Sequence, residues 1–495
     1  MKIFVLLVVL VSCTLLQAFT PLVPTHGYVY ALEANRDLAW PSCAYRFLSF
    51  ASSCDKVDLW NGVGVNQQWQ FLSTGDSDGS FYLKASCGSF LSYTSDCNDK
   101  STIDLWPQAG INQKFRFVVK DNTQFEYYIE AVGRSQCQYR YMSFPQPCTT
   151  NSPDKIDFWS ETGSDQRFRL YPVGSSNPVV HSMGSSFVCP DPYVWKPKKT
   201  NDYRIQCTGG GLKIGTSASL ESTSTFSYIG DALGGTPASW ASSSAYDSRW
   251  APENYESPDG AFNYMFFSDT QPDGIHRTGW VSSSTGPNVN AYNHYSSSYL
   301  NLGMAAGGDI DSHVFEDTNG KTYLLWKTDD NNAGMSYTRI WIQELVFNNG
   351  TVNQVSSPQV VLDSKGLWWI DSWIAGGSLI EGPELVKNGN YYYLFFAAGK
   401  FCQDTYTEGV ARSTSIFGPY EKMRSPVLNN GIVGKGKDFS GNTQQLVGPG
   451  HATIAKTTAG DWRIIYHASL GENCNRYAFI NNLSFGADGW PYVNF

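Results

Sequence analysis

Three acidic residues stand where their carboxyl groups could meet: Asp191 in Cys189-Pro190-Asp191-Pro192, Asp311 in Gly308-Asp309-Ile310-Asp311-Ser312, and Glu381 in Ile380-Glu381-Gly382-Pro383-Glu384. Each lies near the start of a cluster of strand-forming residues. The chemistry open to such a set is acetal hydrolysis. That reaction passes through an oxocarbenium-like state and uses two carboxyl groups, one protonated to donate to the leaving oxygen and one ionised to activate water or attack. A third carboxylate nearby raises the pKa of the acid, because like charges resist ionising together. Taken singly, an Asp or Glu in a turn is most often solvated. The elements around these residues must therefore bring them together.

From about residue 180 onward, apolar runs such as Tyr264-Met265-Phe266-Phe267, Tyr323-Leu324-Leu325-Trp326, Tyr391 to Phe396 and Trp462 to Tyr466 recur. Turn residues separate them, including Asn319-Gly320 and Asn388-Gly389, which favour hairpins. No long amphipathic helix interrupts the pattern. Four-stranded sheets arranged radially fit it, which means a β-propeller; an extended sandwich is the alternative from pattern alone. In a propeller the innermost strands converge on a central channel, so carboxylates from different blades meet there. Trp250 is a candidate sugar platform or a core residue. Trp368, Trp369 and Trp373 are candidates for further subsites or plain packing, with His467 and Arg412 ranked lower.

The front third is a threefold repeat. Val57-Asp58-Leu59-Trp60, Ile103-Asp104-Leu105-Trp106 and Ile156-Asp157-Phe158-Trp159 are each followed by a Gly. Then comes Asn66-Gln67-Gln68-Trp69, Asn112-Gln113-Lys114-Phe115 or Asp165-Gln166-Arg167-Phe168. Three all-β units of this kind close around a shared core, with Trp69, Phe115 and Phe168 as plugs and the Gln side chains satisfying buried backbone groups. This region resembles the ricin-type β-trefoil lectin domain, whose repeats carry a Gln-x-Trp signature; two of the three repeats here replace the Trp with Phe. The resemblance implies shallow sugar pockets built on Asp58, Asp104 and Asp157 beside Trp60, Trp106 and Trp159.

The rear region resembles glycoside hydrolase family 43, five-bladed propeller enzymes acting on arabinans and xylans. The motifs that carry the resemblance are Phe187 to Pro192, Arg249-Trp250-Ala251-Pro252-Glu253, Ile310 to Phe315, Glu381-Gly382-Pro383-Glu384-Leu385 and Gly448-Pro449-Gly450-His451, with Arg476 and Asp488 to Pro491 near the end. The resemblance implies that Asp191 is the general base, Asp311 the pKa modulator and Glu381 the general acid of an inverting enzyme. It implies Trp250, His451 and Arg476 at the substrate. It also makes His451 a candidate ligand for a calcium or other ion in the channel, although no cofactor is required. Ser312-His313 departs from the commoner Pro-Ser after the modulator.

The expected fold is therefore all-β, an N-terminal β-trefoil over 25–172 followed by a five-bladed β-propeller over 180–495. Residues 1–18 read as a signal peptide, with Lys2 ahead of an apolar stretch and Gln17-Ala18 at a small-residue cleavage site. With Cys13 in that segment, ten of the 11 cysteines remain, an even number that suits an oxidising compartment. Spacing pairs Cys43 with Cys54, Cys87 with Cys97, Cys137 with Cys148, Cys189 with Cys207, and Cys402 with Cys474. The net charge of −9 and the lack of a basic run argue against nucleic acid or an anionic membrane surface as a partner. The expectation is a secreted, monomeric glycosidase that cuts α-L-arabinofuranosidic or β-xylosidic bonds in plant polysaccharide. The rival readings are a non-catalytic lectin and a propeller hydrolase acting on galactan or another glycan.

Overall fold

The computed structural model describes residues 29–34, 47–96, 103–121, 126–144, 156–174, 179–181 and 188–494, less 52, 55, 61–64, 77, 95, 161, 164–165, 222–223, 234–238, 241–247, 304, 335–336, 366–378, 404, 424–425, 429–434, 438–442, 472–473 and 486–488. The expected signal peptide, Cys43, Cys97, Cys148, Trp368, Trp369, Trp373 and Asp488 lie outside the described residues. Among the described residues no helix is long and apolar enough to cross a membrane.

Among the described residues the front module contains twelve strands: β1 (Val29–Ala34), β2 (Phe47–Phe50), β3 (Val57–Trp60), β4 (Trp69–Ser73), β5 (Phe81–Ala85), β6 (Phe90–Tyr93), β7 (Ile103–Trp106), β8 (Lys114–Asp121), β9 (Glu126–Ala131), β10 (Tyr141–Ser143), β11 (Asp157–Trp159) and β12 (Arg167–Gly174). β1, β4, β5, β8, β9 and β12 pair in a closed ring. The pairs β2–β3, β6–β7 and β10–β11 form three hairpins. The repeat in sequence becomes a repeat in contacts. Trp69, Phe115 and Phe168 are fully buried. Each meets a ring edge-to-face: Phe50 at 5.2 Å, Tyr93 at 5.2 Å and Phe144 at 5.7 Å, the arrangement that aromatic quadrupoles favour.

The Gln of each repeat donates to a serine hydroxyl: Gln67 to Ser49 (2.6 Å), Gln113 to Ser92 (2.7 Å) and Gln166 to Ser143 (2.8 Å). The donor ends thus meet side chains, while at Gln166 the acceptor end takes the Gly163 N–H at 2.7 Å, the expected service to a backbone group.

The disulfide pairing needs correction too. Cys54 bonds to Cys87, with Cα atoms 6.4 Å apart, so neither Cys43–Cys54 nor Cys87–Cys97 forms. Cys54 sits in the β2–β3 turn and Cys87 in the β5–β6 turn. The closed ring brings these turns of successive units together, and nearness in space overrides nearness in sequence. Cys189–Cys207 and Cys402–Cys474 pair as expected.

Five sheets follow. Blade one has β14 (Tyr193–Trp195), β15 (Tyr203–Cys207), β16 (Lys213–Ser217) and β17 (Ser227–Asp231). Blade two has β18 (Trp250–Glu256), β19 (Asn263–Thr270), β20 (His276–Ser283) and β21 (His294–Tyr295). Blade three has β22 (Asp309–Glu316), β23 (Thr322–Thr328), β24 (Arg339–Asn348), β25 (Thr351–Gln354) and β26 (Gln359–Asp363). Blade four has β27 (Ile380–Asn388), β28 (Tyr391–Ala398), β29 (Thr407–Ser413) and β30 (Glu421–Lys422). Blade five has β31 (Lys435–Lys437), β32 (Thr443–Lys456), β33 (Trp462–Leu470), β34 (Arg476–Phe485) and β35 (Pro491–Asn494).

β13 (Val179–His181) runs parallel to β31, so chain from ahead of blade one enters the last sheet and closes the ring. This is a five-bladed β-propeller. Its cores lie between blades. Tyr264 and Phe266 pack with Leu324 and Trp326, and Leu325 and Ile340 pack with Leu394 and Phe396. Strands such as β23 are buried on both faces, which is why they read as continuous apolar runs.

Candidate active site

Each blade makes the same backbone departure in, or just ahead of, its innermost strand. Asp191, Ala251, Asp311, Gly382 and His451 all adopt positive φ, between 45° and 55°. Ladder register breaks around the last four, between Trp250 and Glu253, Ile310 and His313, Glu381 and Glu384, and Gly450 and Thr453. A left-handed non-glycine residue costs about 1–3 kcal/mol and persists only where its surroundings hold it. Here the amides freed by the bulges are held by side chains. The Asp191 N–H goes to His467 Nδ1 (3.1 Å), that of Ala251 to Thr208 Oγ1 (2.8 Å), that of Gly382 to Asp311 Oδ2 (3.2 Å), and that of Ala452 to Glu408 Oε2 (3.2 Å). The bulges line one axial cavity, whose walls include Asp191, Asp311, Gly382 and His451.

Asp191 is surrounded by donors. Arg476 lies 2.9 Å from Oδ1, His451 Nδ1 lies 3.3 Å away, and the Thr208 hydroxyl donates to Oδ2 at 2.6 Å. Burial alone raises its pKa, but Arg476 and His451 outweigh that and hold it well below the usual carboxylate range. His467 Nδ1 also lies 3.3 Å from Oδ1. Because that nitrogen accepts the Asp191 N–H, it carries no proton; burial and Arg476 push His467 down to about 4. Its contact with Asp191 is therefore through the main chain.

Glu381 precedes the blade-four bulge. Lys327 Nζ lies 3.1 Å from Oε2, and the Tyr406 hydroxyl donates to Oε1 at 2.7 Å. Burial raises its pKa, yet Lys327 and Tyr406 lower it on balance. Lys327 is itself buried and is shared with Asp329 at 2.8 Å. Asp311 behaves in the opposite way. Burial, with Glu381 and Asp191 as neighbouring charges, pushes it up to about 6 against the pull of His451 and Lys327. The expected division, with the modulator ionised and the acid raised, is thus reversed in the free site. His451 acts electrostatically on all three carboxylates, which places them around one point.

Below this layer lie Glu253, His313 and Glu384, the same bulges two residues on. They are the only described His/Cys/Asp/Glu group whose ligand atoms converge, within 4.8 Å. His313 Nδ1 lies 3.1 Å from Glu253 and 2.9 Å from Glu384. Its Nε2 faces the Leu385 carbonyl at 3.2 Å. A carbonyl only accepts, so Nε2 carries hydrogen. Burial disfavours a charged ring, but Glu384 and Glu253 overcome this and hold His313 well above its ordinary pKa. The imidazolium supplies the cation these carboxylates need. His451, the expected ion ligand, turns Nδ1 to Asp191 at 3.3 Å.

Asp191, Asp311, Glu381, His451 and Arg476 all come together, with Arg476 and His451 set against Asp191. Trp250 lies one residue before the blade-two bulge, its ring stacked on His276 at 3.5 Å. In the front module Asp104 is exposed, Asp157 is half-buried, and burial raises the Asp58 pKa. Trp106 and Trp159 are 53% and 41% exposed. Sequence reading missed Thr208, Lys327 and Tyr406. Lys327 offered a weak signal as the lone charge in an apolar strand; Thr208 and Tyr406 offered none.

The sequence model of glycosyl hydrolases family 43 matches residues 176–491. The chain is 28% identical over 274 residues to an extracellular exo-α-(1→5)-L-arabinofuranosidase of Cellvibrio japonicus, covering 52% of this chain and 75% of that protein. It is 24% identical over 337 residues to a probable arabinan endo-1,5-α-L-arabinosidase A of Emericella nidulans, covering 64% and 95%. A crystal structure of a thermostable family-43 glycoside hydrolase shares the fold, with a TM-score of 0.51 and 22% identity over 64% of this chain and 95% of that one. With the family model spanning the whole propeller, the chain belongs to glycosyl hydrolases family 43 and is a glycosidase.

Proposed function

We propose that this glycosidase is secreted and hydrolyses α-L-arabinofuranosidic bonds in plant polysaccharide with inversion, with β-xylosidic bonds as the next choice. The observation that carries the reading is the opposite treatment of carboxyl groups around one cavity: Asp191 is held ionised by Arg476, while Asp311 is pushed up to about 6. Asp191 is then the base that takes a proton from water as its oxygen attacks the anomeric carbon. Glu381 is the acid that gives a proton to the leaving oxygen. An inverting pair needs a gap of roughly 6.5–9.5 Å to admit that water. In the free site Lys327 and Tyr406 occupy both Glu381 oxygens. The departing oxygen must therefore take the place of one donor, and Asp329 stands ready to receive Lys327. Asp311 holds the Gly382 amide and bears a proton at mildly acid pH, which favours an acidic optimum.

The front module, in this reading a ricin-type β-trefoil over 25–172, tethers the enzyme to polysaccharide and raises the local substrate concentration. Support comes from its threefold contacts and from the exposed Trp106 beside Asp104, a platform that a sugar face can reach. The test is product release from linear arabinan, branched arabinan, arabinoxylan and aryl glycosides, with the anomeric configuration of the first product read by NMR. Inverted arabinose is expected. Retained product rules out the assigned roles, and release of xylose alone rules out the arabinofuranosidic preference.

A further inference from the structure

We infer that His467 and Tyr406 form a stacked positioning pair that sets the distance between the two reacting carboxyl groups; this rests on the reading of Asp191 as base and Glu381 as acid. His467 accepts the Asp191 amide hydrogen at 3.1 Å. Tyr406 donates its hydroxyl to Glu381 at 2.7 Å. The two rings lie parallel, 5.6 Å between centroids and 4° between planes. Both are fully buried. A continuous path therefore runs from the main chain of the base, through two rigid rings, to the carboxylate of the acid, crossing from blade five to blade four. Neither ring can shorten or lengthen this path by changing rotamer in a packed interior.

Gly450, which pairs with His467 in the ladder, makes room for the stack: a Cβ there would lie 2.6 Å and 2.9 Å from the Tyr406 ring. The Cys402–Cys474 disulfide ties the segment leading into Tyr406 to the segment leading into Arg476, the partner of Asp191.

The pair can be tested with His467→Leu, which removes the acceptor, His467→Asn, which keeps an acceptor oxygen near the place of Nδ1, and Tyr406→Phe, which keeps the ring but removes the donor. Each is assayed for kcat and KM on an aryl α-L-arabinofuranoside with a good leaving group and on an unactivated α-1,5-linked arabinobiose, with melting curves alongside. Misplacement of a reacting group by about 1 Å costs on the order of a hundredfold in rate.

His467→Leu should lower kcat by about tenfold to a hundredfold on both substrates with little change in KM, since the base is needed for each. His467→Asn should restore most of the aryl turnover. Tyr406→Phe should lower kcat on the disaccharide and spare the aryl substrate, which needs no proton at its leaving group. A folded His467→Leu with wild-type kcat, or a Tyr406→Phe that slows both substrates equally, overturns the pairing. If His467→Leu does not fold, the substrate split of Tyr406→Phe decides. A wild type inert on both arabinosides sinks the arabinofuranosidic reading, and the variants are then judged by the same pattern on an aryl β-xyloside and xylobiose; an active wild type with the wrong variant pattern sinks the pairing alone.

Discussion

Replacing Asp191 with Asn keeps its size and removes its charge. The lost charge leaves Arg476, 2.9 Å away, without its counter-ion and His451, 3.3 Å away, without its carboxylate partner. Breaking a buried pair from one side costs about 3–5 kcal/mol. The side chains of Arg476 and His451 are 17% and 14% exposed, so water relieves part of this and the low end, about 3 kcal/mol, applies. For a propeller of this size that is a fall in Tm of about 4–5 °C. Against a native stability of about 5–15 kcal/mol, most molecules stay folded.

Loss of the general base removes about 10²–10⁴ in rate, far more than the fraction unfolded can account for. The stability difference also depends on pH. The Asp191 pKa is depressed in the folded state, so its contribution is full above the unfolded value near 3.9 and disappears as pH falls through the folded pKa. The gap in Tm between wild type and variant should therefore be open at pH 6 and close below about pH 4. Steady-state kinetics and calorimetry over that range test both parts. Turnover within tenfold of wild type, or a gap that widens on acidification, refutes the assignment of Asp191 as a charge-paired base.

Lys327→Met removes the cation 3.1 Å from Glu381, so the pKa of Glu381 rises and the alkaline limb of the kcat/KM profile should move to higher pH; a limb that stays in place counts against Lys327 as the group that keeps the acid ionised. In Gly450→Ala the new Cβ would lie 2.6 Å from the Tyr406 ring, where ordinary contact begins at 3.4 Å. The ring must shift by about 0.8 Å, and kcat on unactivated substrate should fall by about tenfold, with unchanged kcat as the contrary result. Trp106→Ala removes an indole that is 53% exposed; pull-down on insoluble arabinan should weaken while hydrolysis of a small aryl glycoside stays the same, and equal retention would remove Trp106 from the binding surface.

What the sequence disclosed was local. Asn319-Gly320 and Asn388-Gly389 do join the first two strands of blades three and four, and both glycines take positive φ, a property of the residue itself. The Gln-x-aromatic repeat survives as a repeated hydrogen bond and a repeated edge-to-face contact because each copy folds in the same local setting. Partners chosen by topology stayed hidden. Cys54 found Cys87 across the closed ring of strands. Lys327 and Tyr406 reached Glu381 from other strands, and with them came the reversal of its expected pKa relative to Asp311. Spacing along a chain carries no information on which buried cation will face a given carboxylate.

The five left-handed residues, four of them at ladder bulges, also explain how one backbone event serves different purposes. At Asp191 and Asp311 the left-handed residue carries a carboxyl group; at His451 it carries a ring that acts on all three carboxylates. At Ala251 and Gly382 it carries almost nothing, and at Gly382 even a Cβ would lie 2.9 Å from the His451 ring. On the glycosidase reading, the small residues are as necessary as the acidic ones, because the sugar must enter where side chains are missing. The strain of the bulges is held by side chains, His467 and Thr208 among them, that lie outside the recognisable motifs. Preorganisation of this site therefore resides largely in the strands behind the motifs, where substitutions should alter kcat more than KM.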